Sequence, residues 1–304
     1  VIVDAADPEQ PIVVAELALP GVVSNPGLCV DGSRAYLASG ASGVRIVDVS
    51  DVARPKLVGT VPSEGARDCV AAGDRLYVAD RSGISVHDVT EPAGPRLLGR
   101  WIGSPFDDLS VVADRAWLFH PGWVALVIDA SDPASMVAVG THLDESALAF
   151  DAAGEIAFVA AGVAGIRALD TSALRPIGVV GSAVFGAAAQ GLTVHGDTVT
   201  VAADDLGLRI VDVGDPERPR EVGSLDTPGR AMAVAANGRL AFVADGNGGL
   251  RVIDVLDASA PREVGSWTLG PAMDVDVAGS IACVVGWSGL PQRPEMSVID
   301  VGDP

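Results

Sequence analysis

Short apolar runs separated by polar turns follow one another along the whole chain, and one arrangement recurs. Residues 207–225 read GLRIVDVGDPERPREVGSL: an apolar run closes on an Asp, a proline-marked turn follows, and a second apolar run ends the unit. Similar stretches begin at Gly43, Gly83, Val124, Gly165 and Gly249. Between them lie further pairs of apolar runs around a turn with Gly, Asp or Asn, such as CVAAGDRLYVAD at residues 69–80. These alternations predict β-hairpins along the chain.

The Asp that closes the first apolar run gives the period of the repeat. It recurs at steps of 40 to 46 residues, at Asp4, Asp48, Asp88, Asp129, Asp170, Asp212, Asp254 and Asp300. One period holds four strands, here called A, B, C and D, and four strands in about 42 residues are typical of a propeller blade. The sequence therefore predicts an all-β protein. We expect a single domain over residues 1–304 that forms a seven-bladed β-propeller of four-stranded antiparallel blades.

The termini are predicted to close the ring. Blades are expected at residues 28–61, 68–101, 109–142, 148–183, 192–225, 232–267 and 272–301. The last blade lacks a D strand of its own, and an open ring would leave an unpaired strand edge. We therefore expect strand 11–17 to complete blade 272–301. One of the two C-type strands, 1–4 or 296–300, is then surplus; we favour 296–300 inside because it follows its own B strand, and a truncated eighth blade is the alternative.

Composition narrows the classes of partner. The net charge is −20 at pH 7, and 49% of the residues are hydrophobic although only 4% are aromatic. Binding of nucleic acid or of an anionic membrane needs clustered Lys and Arg, so neither partner is expected. No apolar run reaches membrane-spanning length, so we expect no membrane insertion, and we expect a monomer. Three Cys in apolar strands are interpreted as small buried residues and not as a disulfide framework.

Two repeated polar positions are interpreted as structural. The Asp at the end of each C strand precedes a turn, where its side chain can accept backbone N–H bonds. One position of the C strand carries Arg in several blades, and B strands end on Asp in several blades. The Arg residues are Arg45, Arg167, Arg209 and Arg251, and the Asp residues are Asp80, Asp204 and Asp245. Pairs between the two sets are expected to join neighbouring strands or blades.

The stretches GVRIVDV, GLRIVDV and GLRVIDV, with the turn and PxxVG run that follow, resemble the LVIVD-repeat family of β-propellers. The resemblance covers nearly the whole chain, although blades three and four depart from it. There Val124 replaces the usual Gly, and Ala168-Leu169 replaces the apolar pair. The resemblance implies a bacterial or archaeal propeller that is often exported or attached to the cell surface, and it implies no defined reaction. We therefore expect an extracytoplasmic or cell-surface location.

A binding site is expected at one mouth of the central channel, where the D-to-A and B-to-C loops of a propeller gather. The candidate ligand-binding residues are Arg67, Asp107, Asp108, His120, Trp123, Gln190, Arg230, Trp287 and Arg293. Exposed Trp side chains beside Arg and carboxylates suit a small ligand, a sugar or a peptide. The alternative is that the two Trp side chains plug the channel mouth or cover a loop.

Metal chemistry and catalysis have weaker support. The four His residues fall in four blades without metal-ligand spacing, so no metal site is assigned. Calcium held by Asp107, Asp108, Asp204 and Asp205 is retained as an alternative to solvated acidic loops, and no other cofactor is expected. The sequence contains no nucleophile elbow, zinc-binding motif or phosphate loop. We therefore expect a non-catalytic interaction module for a protein, peptide or glycan; the alternative is a hydrolase or lyase that uses His120 and acidic residues at the channel mouth.

Overall fold

A computed structural model describes most of the chain. The described residues are 2–4, 12–15, 17, 19, 27–106, 108–112, 114–120, 124–142, 147–153, 155–170, 178–267, 270–278, 281–288 and 293–300. Within them the secondary structure is β, apart from one short 3-10 helix at Pro133–Ser135 whose N-cap is Asp132. The expectation of an all-β protein is confirmed for this part of the chain.

Six antiparallel sheets of four strands are the blades. Blade one consists of β3 (Leu28–Asp31), β4 (Arg34–Ala38), β5 (Val44–Asp48) and β6 (Lys56–Val61). Blade two consists of β7 (Asp68–Ala72), β8 (Arg75–Asp80), β9 (Gly83–Asp88) and β10 (Arg96–Ile102). Blade three consists of β11 (Asp108–Val112), β12 (Arg115–His120), β13 (Val124–Asp129) and β14 (Val137–His142).

The other three four-stranded blades follow in the same order. Blade four consists of β15 (Ala149–Ala153), β16 (Ile156–Ala160), β17 (Ile166–Asp170) and β18 (Gly178–Ala183). Blade five consists of β19 (Gly191–His195), β20 (Thr198–Ala202), β21 (Leu208–Asp212) and β22 (Arg220–Leu225). Blade six consists of β23 (Ala233–Asn237), β24 (Leu240–Ala244), β25 (Leu250–Asp254) and β26 (Arg262–Trp267).

The prediction of seven four-stranded blades is wrong, because the structure has six. The terminal segments form a five-stranded sheet, here called the closing sheet, whose strand order is β2-β1-β29-β28-β27. Its strands are β1 (Ile2–Asp4), β2 (Ile12–Ala15), β27 (Ala272–Ala278), β28 (Ile281–Ser288) and β29 (Arg293–Asp300).

Neither of the two C-type strands is left out of the closing sheet. β29 pairs with β28, as expected, and β1 then adds to the free edge of β29 in parallel, with Ile2 opposite Val298. β2 pairs antiparallel with β1 and takes the outer edge. β1 thereby hydrogen-bonds on both sides, whereas a surplus strand would keep unpaired edges. β1 and β2 thus join this sheet and do not begin a separate one.

The innermost strand of each sheet is its A strand, and these strands contact one another in a closed circle. β27 of the closing sheet contacts β23 on one side and β3 of blade one on the other. At the second of these interfaces Leu28 and Val30 pack against Cys283 and Val285. The circle therefore closes between blade one and the terminal segments.

Both faces of a C strand are buried, as its continuous apolar pattern predicts. Ile210 packs toward blade six, whereas the next residue, Val211, packs toward blade four. Successive side chains of a strand point to opposite faces, so a strand between two neighbouring sheets needs apolar residues at every position. The hydrophobic core is therefore a set of layers between neighbouring sheets.

The Gly that recurs in each D strand is explained by close packing. A Cβ atom on Gly59 would overlap the carbonyl oxygen of Pro92, which lies in the C–D turn of the next blade. Gly223 is related in the same way to the Ala258 carbonyl of blade six. The C–D turn itself is fixed by the repeated Asp, since Asp48 accepts a hydrogen bond of 2.9 Å from the backbone N–H of Ser50. The structural interpretation of this Asp is confirmed.

Candidate functional site

The B–C and D–A loops lie at one end of the ring, here called the loop face. At this end the B–C corner of a blade pairs with the segment that enters the next blade. The paired residues are Gly40 with Ala66, Gly162 with Ala189, Asp204 with Ala231, and Gly246 with Ala272. The corner geometry is thus a repeated element, and a residue that departs from it is conspicuous.

Asp204 is that departure. Gly40, Gly162 and Gly246 adopt positive φ angles of 58°, 52° and 54° at this corner, and Asp204 adopts 48°. Glycine takes this left-handed conformation at no steric cost, whereas Asp tolerates it better than most residues but still less easily than glycine. Asp114, in the A–B turn of blade three, adopts it too, at φ 62°. Strained backbone of this kind concentrates at functional positions. Asp204 therefore places a carboxylate at a position where glycine would adopt the backbone conformation more easily.

The Asp204 carboxylate holds two of the residues singled out from the sequence. Arg230 donates from Nε to Oδ1 at 2.5 Å and from Nη2 to Oδ2 at 2.7 Å. Gln190 donates from Nε2 to Oδ2 at 3.1 Å, and Asp205 lies 3.7 Å from the Arg230 guanidinium. The hydrogen bonds of Arg230 hold the pKa of Asp204 below its usual value, so the carboxylate stays ionised near neutrality. We call these four residues, Gln190, Asp204, Asp205 and Arg230, the charged corner.

An apolar corner adjoins the charged corner. Val163, in the B–C corner of blade four, and Val184, in the loop that leaves the same blade, are 80% and 67% exposed. Ala189 links the two corners, because it pairs with Gly162 of blade four and immediately precedes Gln190. The loop face therefore presents exposed valines beside a charged cluster.

Asp245 of blade six, one residue earlier in the corner than Asp204, has a different environment. It is fully buried and accepts hydrogen bonds from Thr227 Oγ1 at 2.5 Å and from the Gly229 backbone N–H at 2.8 Å. Arg251 Nε lies 3.6 Å from its carboxylate, which fits the predicted Arg–Asp pairing. Asp245 thus fastens the D–A loop to the blade.

The same pairing prediction is wrong for blade five. The Arg209 guanidinium contacts Asp226 at 3.0 Å and Glu221 at 3.9 Å, whereas Asp204 pairs with Arg230 of the D–A loop. The reason is the register: Asp204 occupies the glycine position of the corner, two residues beyond the end of β20, and its side chain faces the D–A loop.

A second group of carboxylates lies on the innermost strands. Asp68 Oδ2 accepts the N–H of Leu109 in the next blade at 2.8 Å, and Asp151 accepts that of Val194 at 2.8 Å. Asp276 of the closing sheet accepts the N–H of Val30 in blade one at 2.8 Å. Each bond joins a sheet to its successor in the ring. These residues, with Asp274, are here called the inner carboxylates.

Burial sets the protonation of the inner carboxylates. Desolvation, aided by the charge of Asp276, raises the pKa of Asp274 to about 7. Desolvation also raises the pKa of Asp276 to about 6, and backbone N–H bonds from Val30 and Val277 oppose that shift. The pKa of Asp68 is raised by burial and then by the neighbouring Asp108. Because the same kind of bond recurs between blades, these groups hold the ring together.

The structure places the sequence-predicted site residues in different settings. Arg67 is exposed on the loop face, where Gln190 and Arg230 are brought together by Asp204. Asp108 begins β11 and lies beside Asp68 on the innermost strands, not in a loop.

Other predicted site residues are described only in part. His120 ends β12, Trp287 lies in β28 and Arg293 begins β29, and for these three the backbone alone is described. Asp107 and Trp123 lie outside the described residues. The described part of the chain holds no group of three or more His, Cys, Asp or Glu arranged to bind a metal ion.

Sequence reasoning did not include Asp204 among the predicted ligand-binding residues. The signal was available in the repeat itself: aligned on the bridging Ala, three corners carry Gly and one carries Asp. That Asp204 adopts the left-handed conformation of these glycines is shown only by its φ angle in the structure.

Comparison with known proteins supports the fold. Among the described residues, no helix is both long and apolar enough to cross a membrane. The chain is similar to the computationally designed Ika8 protein, with 13% identity over 94% of this chain and 83% of that one, and a TM-score of 0.64. It is also similar to a chain of the mitotic checkpoint complex, with 10% identity, coverage of 90% and 88%, and a TM-score of 0.72. The WD40 repeats of RRP9 give 14% identity, coverage of 91% and 96%, and a TM-score of 0.67.

The sequence itself matches a repeat family. No curated protein matches the chain. The family model described as LVIVD repeat matches residues 24–62, 65–102, 186–227 and 228–268, which together span more than half of the 304 residues. The matches fall on blades one, two, five and six, whereas blades three and four, which depart from the consensus, are unmatched. The resemblance read from the GLRIVDV motifs is confirmed, and the chain belongs to the LVIVD-repeat family.

Proposed function

We propose that this protein is a non-catalytic interaction module whose loop face binds a protein or peptide segment with basic and apolar side chains. The observation that carries the proposal is Asp204, which takes a positive φ at a corner position where blades one, four and six carry glycine. Its carboxylate organises Arg230 and Gln190 from two successive D–A loops. A fold requirement alone favours Gly there, so the carboxylate is assigned to recognition.

The charge around this corner indicates a cationic partner. Asp205 and Asp226 expose 83% and 77% of their side chains, and the chain as a whole carries a net charge of −20. Complementary charge speeds encounter and selects among partners. Arg230 is paired with Asp204 and also lies 3.7 Å from Asp205, and Arg209 contacts Asp226 at 3.0 Å. The exposed sides of the Asp205 and Asp226 carboxylates are the surface that we propose meets an incoming Lys or Arg side chain.

The apolar corner supplies the second half of the recognition surface. Val163 and Val184 lie on the same end of the ring as the charged corner. An apolar side chain next to the basic residue of the partner would cover these valines and gain hydrophobic stabilisation. The proposed ligand is therefore a segment in which basic and apolar residues alternate at short spacing.

We assign no reaction to the inner carboxylates, although their pKa values are raised. Asp68, Asp151 and Asp276 each accept a backbone N–H of the next sheet, and this repeated bond gives them a structural task. We place the module outside the cytoplasm, as membership of the LVIVD-repeat family implies. Protease treatment of intact cells of the source organism, followed by immunoblotting, would test that location: an external protein is digested and a cytoplasmic one survives.

Selection from a peptide library tests the proposed function. The full chain is immobilised and panned against random peptides displayed on phage, and a glycan array is probed in parallel. We expect enrichment of basic-apolar peptides whose binding is lost in Asp204→Gly and retained in Arg218→Ala. Arg218 is an exposed arginine of a C–D turn, at the opposite end of the ring, and serves as the matched control. The proposal fails if no peptide is enriched, if enriched peptides tolerate Asp204→Gly, or if glycans alone bind.

A further inference from the structure

Cys29 and Cys69 meet at the interface between blades one and two. Cys29 lies in β3 and Cys69 in β7, and their Sγ atoms are 3.5 Å apart. Both are buried, with 7% and 1% of their surface exposed. We propose that these two residues form a disulfide that joins blade one to blade two when the chain folds in the presence of a disulfide oxidant.

The register of the innermost strands shows that the two side chains face each other. Cys29 pairs with Tyr36 and Cys69 with Val78, so they occupy positions of opposite parity on the A strands of adjacent blades. Residues of one parity face the following sheet and residues of the other face the preceding one. Cys29 is therefore directed at blade two, and Cys69 at blade one.

The other interfaces carry different residues at the corresponding two positions. The pairs, in ring order, are Val70 with Leu109, Ser110 with Phe150, Asp151 with Leu192, Thr193 with Val234, Ala235 with Val275, and Asp276 with Leu28. Apolar pairs such as Val70 with Leu109 satisfy the packing requirement. Packing alone therefore does not require two cysteines at these facing positions.

The surroundings determine when oxidation can occur. Both thiols lie in an apolar cluster with Tyr36 and Val78, and Cys69 Sγ also lies 3.6 Å from the Tyr36 carbonyl oxygen. Burial and the neighbouring Cys69 raise the pKa of the Cys29 thiol well above its usual value. Since the thiolate is the reacting form, a soluble oxidant reacts slowly with the folded ring. The bond therefore forms during folding, while both thiols are accessible.

The proposed step is a thiol–disulfide exchange with a low-molecular-weight disulfide. The thiolate of one Cys attacks the oxidant, forming a mixed disulfide and releasing one thiol of the oxidant. The thiolate of the other Cys then attacks the protein sulfur of that mixed disulfide, forming the Cys29–Cys69 bond and releasing the second thiol. Two protein thiols are oxidised, one disulfide oxidant is reduced to two thiols, and the two protons pass to the released thiolates. The Sγ atoms lie 3.5 Å apart and must approach to the roughly 2 Å of a disulfide.

Oxidative refolding of the full chain tests the proposal. The reduced protein is unfolded in denaturant and refolded with oxidised glutathione, or with a reductant as the reference. We expect the oxidised product to weigh less by two hydrogen atoms, to retain one free thiol of the three, and to yield a Cys29–Cys69 cross-linked peptide without reduction. We also expect a higher melting temperature than that of the reduced protein, since the link restricts the unfolded chain.

Substitutions borrowed from the next interface give matched controls. Cys29→Val and Cys69→Leu reproduce the Val70–Leu109 pair and should abolish both the mass loss and the rise in melting temperature. Cys283→Ala, which removes the third buried thiol, should abolish neither. The proposal is overturned if the refolded wild-type protein keeps three free thiols, carries only mixed glutathione disulfides, or links Cys283. Peptide mapping of the wild-type chain decides the matter even where a variant fails to fold.

Discussion

The inner carboxylates and Asp204 of the charged corner are all Asp side chains, but their hydrogen-bond partners and the directions of their pKa shifts differ. The inner carboxylates lie between sheets, bond to backbone N–H groups of the next sheet, and have raised pKa values because they are buried. In the charged corner, Asp204 accepts hydrogen bonds from the side chains of Gln190 and Arg230, and Arg230 lowers its pKa; the other three bridged corners carry glycine at this position. Repetition around the ring marks a structural role, and departure from the repeat marks a candidate for recognition.

Asp245 and Asp204 allow the same comparison between two single residues. Both Asp245 and Asp204 lie at a B–C corner, yet Asp245 directly follows the B strand and is fully buried, whereas Asp204 takes the glycine position one residue further along. A shift of one residue therefore separates a carboxylate that holds a loop from the carboxylate that we propose for recognition. The two classes should respond differently to substitution and to pH.

The largest effect is expected from Asp245→Ala. The change leaves Thr227, Gly229 and the buried Arg251 without their shared acceptor. Removal of one partner of a buried ion pair lowers the free energy of unfolding by about 3 kcal/mol, which urea denaturation would measure. Asp205→Ala, which changes an exposed Asp of the charged corner, should leave the midpoint of urea denaturation unchanged. Equal losses in the two variants would erase the distinction between the corners.

Asp276→Ala should lower the free energy of unfolding by less than Asp245→Ala does. The substitution leaves the N–H groups of Val30 and Val277 without an acceptor. An unsatisfied buried N–H destabilises a protein by roughly 2 kcal/mol, and urea denaturation would show this loss. Asp276→Asn keeps one acceptor oxygen and should lose a smaller part of the stability. An unchanged midpoint in Asp276→Ala would remove the structural role of the inner carboxylates.

Stability should depend on pH through the inner carboxylates. Asp274 and Asp276 have folded-state pKa values of about 7 and about 6, above the unfolded value near 4. Their contribution is therefore full below pH ~4 and is lost as the pH rises from about 4 to about 7. His87 acts in the opposite direction, because burial lowers its pKa to about 4.

The difference between wild type and the double variant Asp274→Asn, Asp276→Asn isolates the carboxylate contribution. Free energies of unfolding measured between pH 4 and 7 should fall more steeply, or rise less, with pH in the wild type. Parallel curves for the two proteins would contradict the raised pKa values of both residues.

Asp204→Gly should change stability little. It removes the bonds of Asp204 to Gln190 and Arg230, but it also restores the residue that the corner conformation favours. The two effects oppose each other, so the free energy of unfolding should stay within about 1 kcal/mol of wild type. Thermal unfolding would check this, with Gly246→Asp as the reciprocal change in blade six. A loss as large as that of Asp245→Ala would make Asp204 a structural residue.

The smallest expected effect is a change in the pKa of the Asp204 carboxyl group. Carbon-13 NMR of the Asp204 carboxyl group should give a pKa below the ordinary value, because Arg230 donates to it. Arg230→Ala should raise this pKa toward the ordinary value, whereas Arg218→Ala at the other end of the ring should leave it unchanged. An equal pKa in wild type and Arg230→Ala would show that the ion pair is not formed in solution.

Much of the fold could be predicted from the sequence because the residues that determine a blade recur in each repeat. The apolar runs, the C-strand Asp and the D-strand Gly each recur at a fixed distance, and each has a local cause, such as the contact of Gly59 with the next C–D turn. The closing sheet could not be read in this way. Whether residues 2–4 add to β29 depends on which free edges meet at the end of folding, and no repeat unit encodes that choice.

The candidate site was predicted less completely than the fold. Gln190 and Arg230 were found because loops at one end of a propeller converge. Asp204 was considered as a calcium ligand and as a structural Asp, but not as a ligand-binding residue beside these two, because its position depends on a backbone angle. The three Cys were correctly expected to be buried, yet the facing of Cys29 and Cys69 depends on the register between two sheets. Asp108 was expected in a loop and instead begins the innermost strand of blade three.

Calorimetric titration of the strongest selected peptide into wild type, Asp204→Gly and Arg218→Ala, with the unfolding free energy of each protein, tests the central claim most directly. We predict that Asp204→Gly weakens binding at least tenfold, a change of about 1.4 kcal/mol in binding free energy, while stability remains near that of wild type. Arg218→Ala should match wild type in both measurements. Undiminished binding by Asp204→Gly, or a loss of binding that accompanies a comparable loss of stability, would contradict the assignment of this carboxylate to recognition.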